Sequence, residues 1–222
     1  MERRNFLRWT IAARRFVPNW FLALVFKTHC VENTYVNPET DGKAVRIGEA
    51  CPACVCEHVT VGRHGSPGKV HSSEVLHSVV IAPTDLDKDA LAITMITHAE
   101  KKGMSVLRES ASNEEFKATV TARIKKPGQK YHGVATFSCA EVRRIVAEGN
   151  TDQRKRNDRL YCVLDTDMEG LPNHAEIFAT VPRPFKQNTP KAAWRNERER
   201  LLILLIGGFS APAEFRDGAT LP

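Results

Sequence analysis

The chain has 222 residues, 42% of them hydrophobic and 26% charged, with a formal net charge of +6. That length suits one large domain, or one medium domain with a small appendage, and that apolar content excludes wholesale disorder. No apolar run approaches the ~20 residues of a membrane-spanning helix, so no membrane span is expected.

The positive charge is concentrated at one end. Residues 1–28 carry Arg3, Arg4, Arg8, Arg14, Arg15 and Lys27 against Glu2, a local net of +5, and the other 194 residues carry only +1. Phe6, Trp9, Phe16, Trp20 and Phe21 accompany these cations. A basic, aromatic arm of this kind suits phosphates or an anionic surface, and a solvated helix face is its plainer reading. Arg3-Arg4-Asn5-Phe6-Leu7-Arg8 is similar to a twin-arginine export signal. Arg14, Arg15 and Pro18 interrupt the apolar stretch such a signal needs, and the expected location is cytoplasmic.

Next come His29 and Cys30, and then Cys51-Pro-Ala-Cys54-Val-Cys56-Glu-His58. Two cysteines around a two-residue proline turn can aim both sulfurs at one point, as one knuckle of a zinc site does. Cys30, Cys51 and Cys54, with Cys56 or His58 as the fourth, are the expected ligands of one structural zinc ion. An iron–sulfur cluster is a rival. So is a redox pair, but Val55 to Val61 is β-branched and starts no helix that would lower a thiol pKa. The turn formers from Asn37 to Gly68 fit a small metal-stapled region, with Gly65–Gly68 as its linker. Cys139 and Cys162 stand alone in apolar surroundings and read as core.

From Val70 the texture changes. Val75 to Ile81 reads as a strand, and Thr84 or Asp85 as the cap of a helix from about 86 to 102, with Gly103 as its left-handed stop. Ser112-Asn-Glu-Glu115 is a capping-box pattern for a short helix. Lys117 to Ile124 alternates Ala118, Val120, Ala122 and Ile124 with Thr119, Thr121 and Arg123, and so predicts a half-buried strand. Gly133 to Phe137 is another strand. Ser138-Cys-Ala-Glu141 caps a helix to about Glu148, and 159–164 and 175–181 are further strands. Thr189-Pro190 opens a last helix to about Ile206. Strands and helices intermingle without strict βαβ order. The expected fold is therefore α+β, a mixed, mainly antiparallel sheet with flanking helices. The expected division is 1–69 for the arm and zinc region, 70–210 for the α+β domain and 211–222 for a loose tail.

Two groups of residues in this domain bear on function. Arg143, Arg144, Arg154, Lys155, Arg156 and Arg159 place six cations within 17 positions, a loop able to grip phosphates without sequence preference. Among the histidines, His77 lies in an apolar strand and His174 follows Asp165 and Asp167, so either is a candidate acid–base group. No glycine-rich phosphate loop and no nucleophile motif is present.

Gly103-Met104-Ser105-Val106-Leu107-Arg108 is similar to a Gly-Leu-Ser-Val-x-Arg pattern. Leu171-Pro172-Asn173-His174-Ala175-Glu176-Ile177 is similar to Asn-Pro-x-His-Ala-x-Ile with its first two residues reversed. Both patterns recur, in this order, in a loose group of small uncharacterised bacterial proteins, so the resemblance implies a bacterial origin. It carries no activity, and it adds Ser105, Arg108 and His174 to the candidates. The expectation is a zinc-containing accessory subunit that binds nucleic acid or a nucleoprotein complex. The alternatives are an enzyme acting on a nucleotide or nucleic acid through His77, Arg108 and His174, and a structural subunit docked on a protein partner.

Overall fold

The structure is a computed structural model that describes residues 43, 44, 47, 54, 57, 64–146, 159–179 and 191–210, with backbone alone for 191–198. Six strands form one sheet in the order β6-β7-β4-β1-β5-β8, and every neighbouring pair is antiparallel. The strands are β1 (Val75–Ala82), β4 (Met104–Arg108), β5 (Lys130–Ser138), β6 (Tyr161–Asp165), β7 (His174–Ala179) and β8 (Phe209–Ser210). A separate hairpin joins β2 (Leu86–Asp87) to β3 (Ala90–Leu91). The helices are α1 (Thr94–Lys101), α2 (Asn113–Arg123), α3 (Cys139–Arg144) and α4 (Lys191–Gly207). The architecture is α+β, as expected, and among the described residues no helix is long and apolar enough to cross a membrane.

Near-continuous apolar character makes β1 central, because a strand buried on both faces needs apolar residues at successive positions. Leu76 and Val80 join the larger core with Met95, Ile96 and Ala99 of α1, Val142 of α3, and Leu201 and Leu205 of α4. Val79 and Ile81 turn to the opposite face and pack with Leu107, Phe116, Val120 and Val134 under α2. Cys139 and Cys162 are buried free thiols, and burial pushes the Cys139 thiol up to about 11.

Two expected elements differ. The alternating stretch from Lys117 to Ile124 belongs to α2. Its capping box decides the matter: Ser112 Oγ accepts from the Glu115 amide at 3.2 Å, and Glu115 Oε2 accepts from the Ser112 amide at 2.7 Å. The buried positions Phe116, Thr119 and Val120 then follow helical spacing, while Ala118 is exposed. The helix expected from 86 to 102 begins only at Thr94. Asp85 closes a turn instead of capping, since its carboxylate accepts from the Ile81 amide at 2.8 Å and pairs with Arg123 at 2.8 Å. The third helix ends at Arg144, before the Glu148 expected for it, and Val146 bridges to Arg159.

The segment around Gly65–Gly68, read as a linker, is tied to the sheet. The His64 amide donates to Asp167 and Ser66 Oγ donates to Asp165, both at 2.6 Å, and Val70 enters the larger core. Glu57 secures the edge strand β6. Its carboxylate accepts from the Val163 amide at 2.7 Å and from Arg143 and Arg159 at 3.1 and 3.0 Å.

The helical assignment of α2 is testable in urea. Ser112→Ala should lower the unfolding free energy by about 1 kcal/mol. Ala118→Glu should leave it within about 0.5 kcal/mol, as an exposed helix position allows. A large loss with Glu at 118 would favour an inward-facing strand residue.

Candidate functional site

Strands β1 and β4 stay paired at only two positions, Leu76 with Arg108 and His77 with Leu107. Beyond that point they diverge, and a cleft of about 470 Å³ opens between them, with Ser78 of β1 and Met104 and Ser105 of β4 in its walls. The ends of α1 and α2 and the loop after α2 complete the rim. The Val79 carbonyl, past the last β1–β4 pair, accepts instead from the Arg123 guanidinium, which is anchored on Asp85.

The lining is basic. His98, Lys102, Arg123, Lys125 and Lys126 border the cleft, and no carboxylate lies among the described residues that line it. Lys102, Lys125 and Lys126 are solvent-exposed, whereas His98 is half-buried. Burial lowers the His98 pKa below its usual value, Lys102 and Arg123 lower it further, and Asp85 acts in the opposite sense. The loop bearing the paired lysines is fixed: Gln129 Oε1 accepts from the amides of Lys125 and Lys126 at 2.7 and 2.8 Å, and its Nε2 donates to Thr84 at 2.5 Å. Gly103 sets the other rim. Its φ of +101° ends α1, and a Cβ there would come within 2.8 Å of the Phe178 ring.

Ser78 is among the residues that line this cleft. It is fully buried, and its hydroxyl has no hydrogen-bond partner among the described residues. Most buried hydroxyls are satisfied, so an orphan facing a cleft calls for a reason.

The residues expected to act together do not converge. Strand alternation sends Arg108 to the face of Leu76, and His77 and His174 to the opposite face, on either side of Leu107. Arg108 is 2% exposed and fully engaged: it meets Glu74 twice at 2.7 Å, the carbonyls of Gly68 and Lys69 at 2.5 and 3.3 Å, and Asp165 at 3.5 Å. His77 contacts Thr136 Oγ1 at 3.1 Å and tilts against the Phe116 ring. Only His174 connects to the cleft, through Ser105.

That connection is a chain of three groups. His174 Nδ1 lies 3.1 Å from the Thr166 carbonyl, a partner that suits the tautomer with its proton on Nδ1. Thr166 Oγ1 is 2.9 Å from the same nitrogen. His174 Nε2 then accepts from the Ser105 hydroxyl at 2.7 Å. A serine bonded to a neutral imidazole can give up its proton, but an imidazolium formed here would face a carbonyl and a hydroxyl where triads place a carboxylate. The arrangement orients Ser105 better than it activates it.

Of the basic loop, Arg143 and Arg159 turn inward to Glu57 and Arg144 is exposed, while Arg154, Lys155 and Arg156 lie outside the described residues. Arg3, Arg4, Arg14, Arg15, Cys30, Cys51, Cys56 and His58 lie outside them too. Cys54 is described: it is 4% exposed, has φ +53°, and points its thiol at the Tyr161 carbonyl at 4.0 Å. Among the described residues no group of three or more His, Cys, Asp or Glu is placed to hold a metal ion. The cleft lysines were missed by the sequence reading. Lys101-Lys102 and Lys125-Lys126 are each a short pair just past an apolar stretch, and only the topology brings them together.

The Glu74–Arg108 pair gives a pH signature. Burial raises the Glu74 pKa, but the hydrogen bonds from Arg108 and the His71 amide and the Arg108 charge outweigh it, so the carboxyl sits below its ordinary 4.5. A depressed carboxylate stabilises the fold above its unfolded pKa, and that stability is lost as pH falls through the lowered value. Glu74→Gln should therefore flatten the fall in stability below about pH 4.5. It should also cost roughly 2 kcal/mol near neutrality, because Arg108 loses a charged partner. Urea unfolding across pH 3 to 7 would show both, and an unchanged acid slope would remove the pair from this role.

No family model, no curated protein and no solved structure matches this chain.

Proposed function

We propose that the protein binds nucleic acid, alone or within a nucleoprotein complex, as an accessory module whose phosphate site is the cleft between β1 and β4. One observation carries this reading: three exposed lysines border the cleft, and no carboxylate is among its described lining residues. Neutralising phosphates with lysine and arginine is the main source of affinity in such complexes, and it needs no base-specific contact. The basic arm with Arg3, Arg4, Arg14 and Arg15 would extend the same surface chemistry. A zinc ion on Cys30, Cys51 and Cys54, with Cys56 or His58, would frame the N-terminal region. An enzyme working through His77, Arg108 and His174 has less support, since Arg108 is consumed by internal partners on the far face of the sheet.

Fluorescence anisotropy with a labelled single-stranded 15-mer tests the binding. The logarithm of affinity should fall linearly with that of salt. Lys102→Glu, Lys125→Glu and Lys126→Glu together should weaken binding at least about tenfold and flatten the salt slope. Wild-type affinity in that triple variant would end the assignment of the cleft. The same preparations should hold one zinc per chain by elemental analysis, reduced in Cys51→Ser. Metal-free protein that still folds would dispose of the zinc frame.

A further inference from the structure

Backbone phosphates need only the rim. Three exposed lysines there can meet a passing strand without anything entering the cleft. The interior has a different character. Met95 and Met104 give it apolar walls, and Ser78, also among its lining residues, carries a fully buried hydroxyl with no partner among the described residues. A volume of about 470 Å³ is the size of a small-molecule site, well beyond what one phosphate fills. Apolar walls, the lining hydroxyls of Ser78 and Ser105 and a cationic mouth describe a ligand with two ends. One end is anionic and stays with the lysines. The other is flat or apolar, carries hydrogen-bonding atoms and reaches Ser78. We infer that the cleft seats one nucleoside monophosphate unit, free or at the end of a strand, with its phosphate at Lys102, Lys125 and Lys126 and its base against the methionines and Ser78.

This inference rests on the phosphate-binding reading of the cleft and adds the class of ligand. Its energetic logic is specific. A buried hydroxyl without a partner leaves the folded chain with an uncompensated desolvation cost, which a ligand atom in hydrogen-bond reach would relieve. Removing the hydroxyl should therefore harm binding and spare the fold.

Isothermal titration of the full-length protein tests it with four probes: adenosine 5′-monophosphate, inorganic phosphate, and one single-stranded 10-mer with and without a 5′-phosphate. Adenosine monophosphate should bind more tightly than inorganic phosphate. Ser78→Ala should weaken it about fivefold or more, with an unchanged or higher melting temperature of the free protein and unchanged affinity for the unphosphorylated 10-mer. A Ser78 dependence shown only by the 5′-phosphorylated strand would place the unit at a strand end and supports the inference equally. Two results overturn it. If both 10-mers bind, and bind alike to the wild type and Ser78→Ala, while the mononucleotide does not bind, the rim reading stands and the seat is wrong. If no probe binds, both fall. Should Ser78→Ala lower the melting temperature, Ser78→Cys, which keeps the volume, is read by the same criteria.

Discussion

Arg123 governs the geometry on which the cleft depends. It projects from the last turn of α2, anchors on the buried Asp85, and donates to the Val79 carbonyl beside β1. Strands in one sheet normally pair until one of them ends, because an unpaired backbone carbonyl is costly. Here a side chain supplies the missing partner, so β1 and β4 can part after two residue pairs without stranding Val79. Asp85 makes the substitution workable. A guanidinium placed there alone would be a partly buried charge, and pairing it with a carboxylate that also accepts the Ile81 amide removes that penalty.

A second polar centre, at the other end of β4, holds the paired portion shut. Arg108 reaches Glu74 just before β1, Asp165 at the end of β6, and the carbonyls of residues 68 and 69. It therefore gathers the segment leading into β1 and two strands of the sheet, β4 and β6, at one point. The strands are fastened at this end and open at the other, as the walls of a cleft must be. The same reasoning assigns the motif residues their parts. Arg108 fastens, Gly103 allows the close approach to Phe178 at the opposite end, and Ser105 is oriented by His174 between them.

Much of this framework was legible in the sequence because local signals and tertiary packing agree. The apolar run of β1, the capping boxes at Ser112 and Ser138, and the left-handed Gly103 all act within a few residues, and each lies where local rules put it. The misread segments are those where two local signals compete. From Lys117 to Ile124 a two-residue alternation of small and β-branched side chains imitates a strand, yet Ala118, Thr121 and Ala122 lie exposed and the capping box decides for helix. Asp85 looks like a helix cap by type, but its partner Arg123 is 38 residues away, and no window reveals that. The cleft was invisible for the same reason. Its lysines come from two helix ends, and its buried hydroxyl sits in a strand whose pattern shows only burial. Arg143 and Arg159 illustrate the converse error, since a run of cations says nothing about a buried Glu57 waiting among them.

The lysines at the mouth have a plainer explanation that must be weighed. Cations after helix C-termini offset the helix dipole, and Lys102 follows α1 as Lys125 and Lys126 follow α2. Two helix ends contribute roughly half a negative charge each, about one charge in all. Arg123 is already balanced by Asp85. Three exposed lysines against about one negative charge leave a surplus of about two. His98 lies within this field: burial chiefly disfavours its protonation, Lys102 and Arg123 add to that, and Asp85 opposes it. Dipole compensation alone would have been met by fewer cations, or by lysines interspersed with carboxylates along the rim. The excess sits at the mouth of a cleft with no carboxylate among its described lining residues, so its charge is left for an anion from outside the described residues to balance.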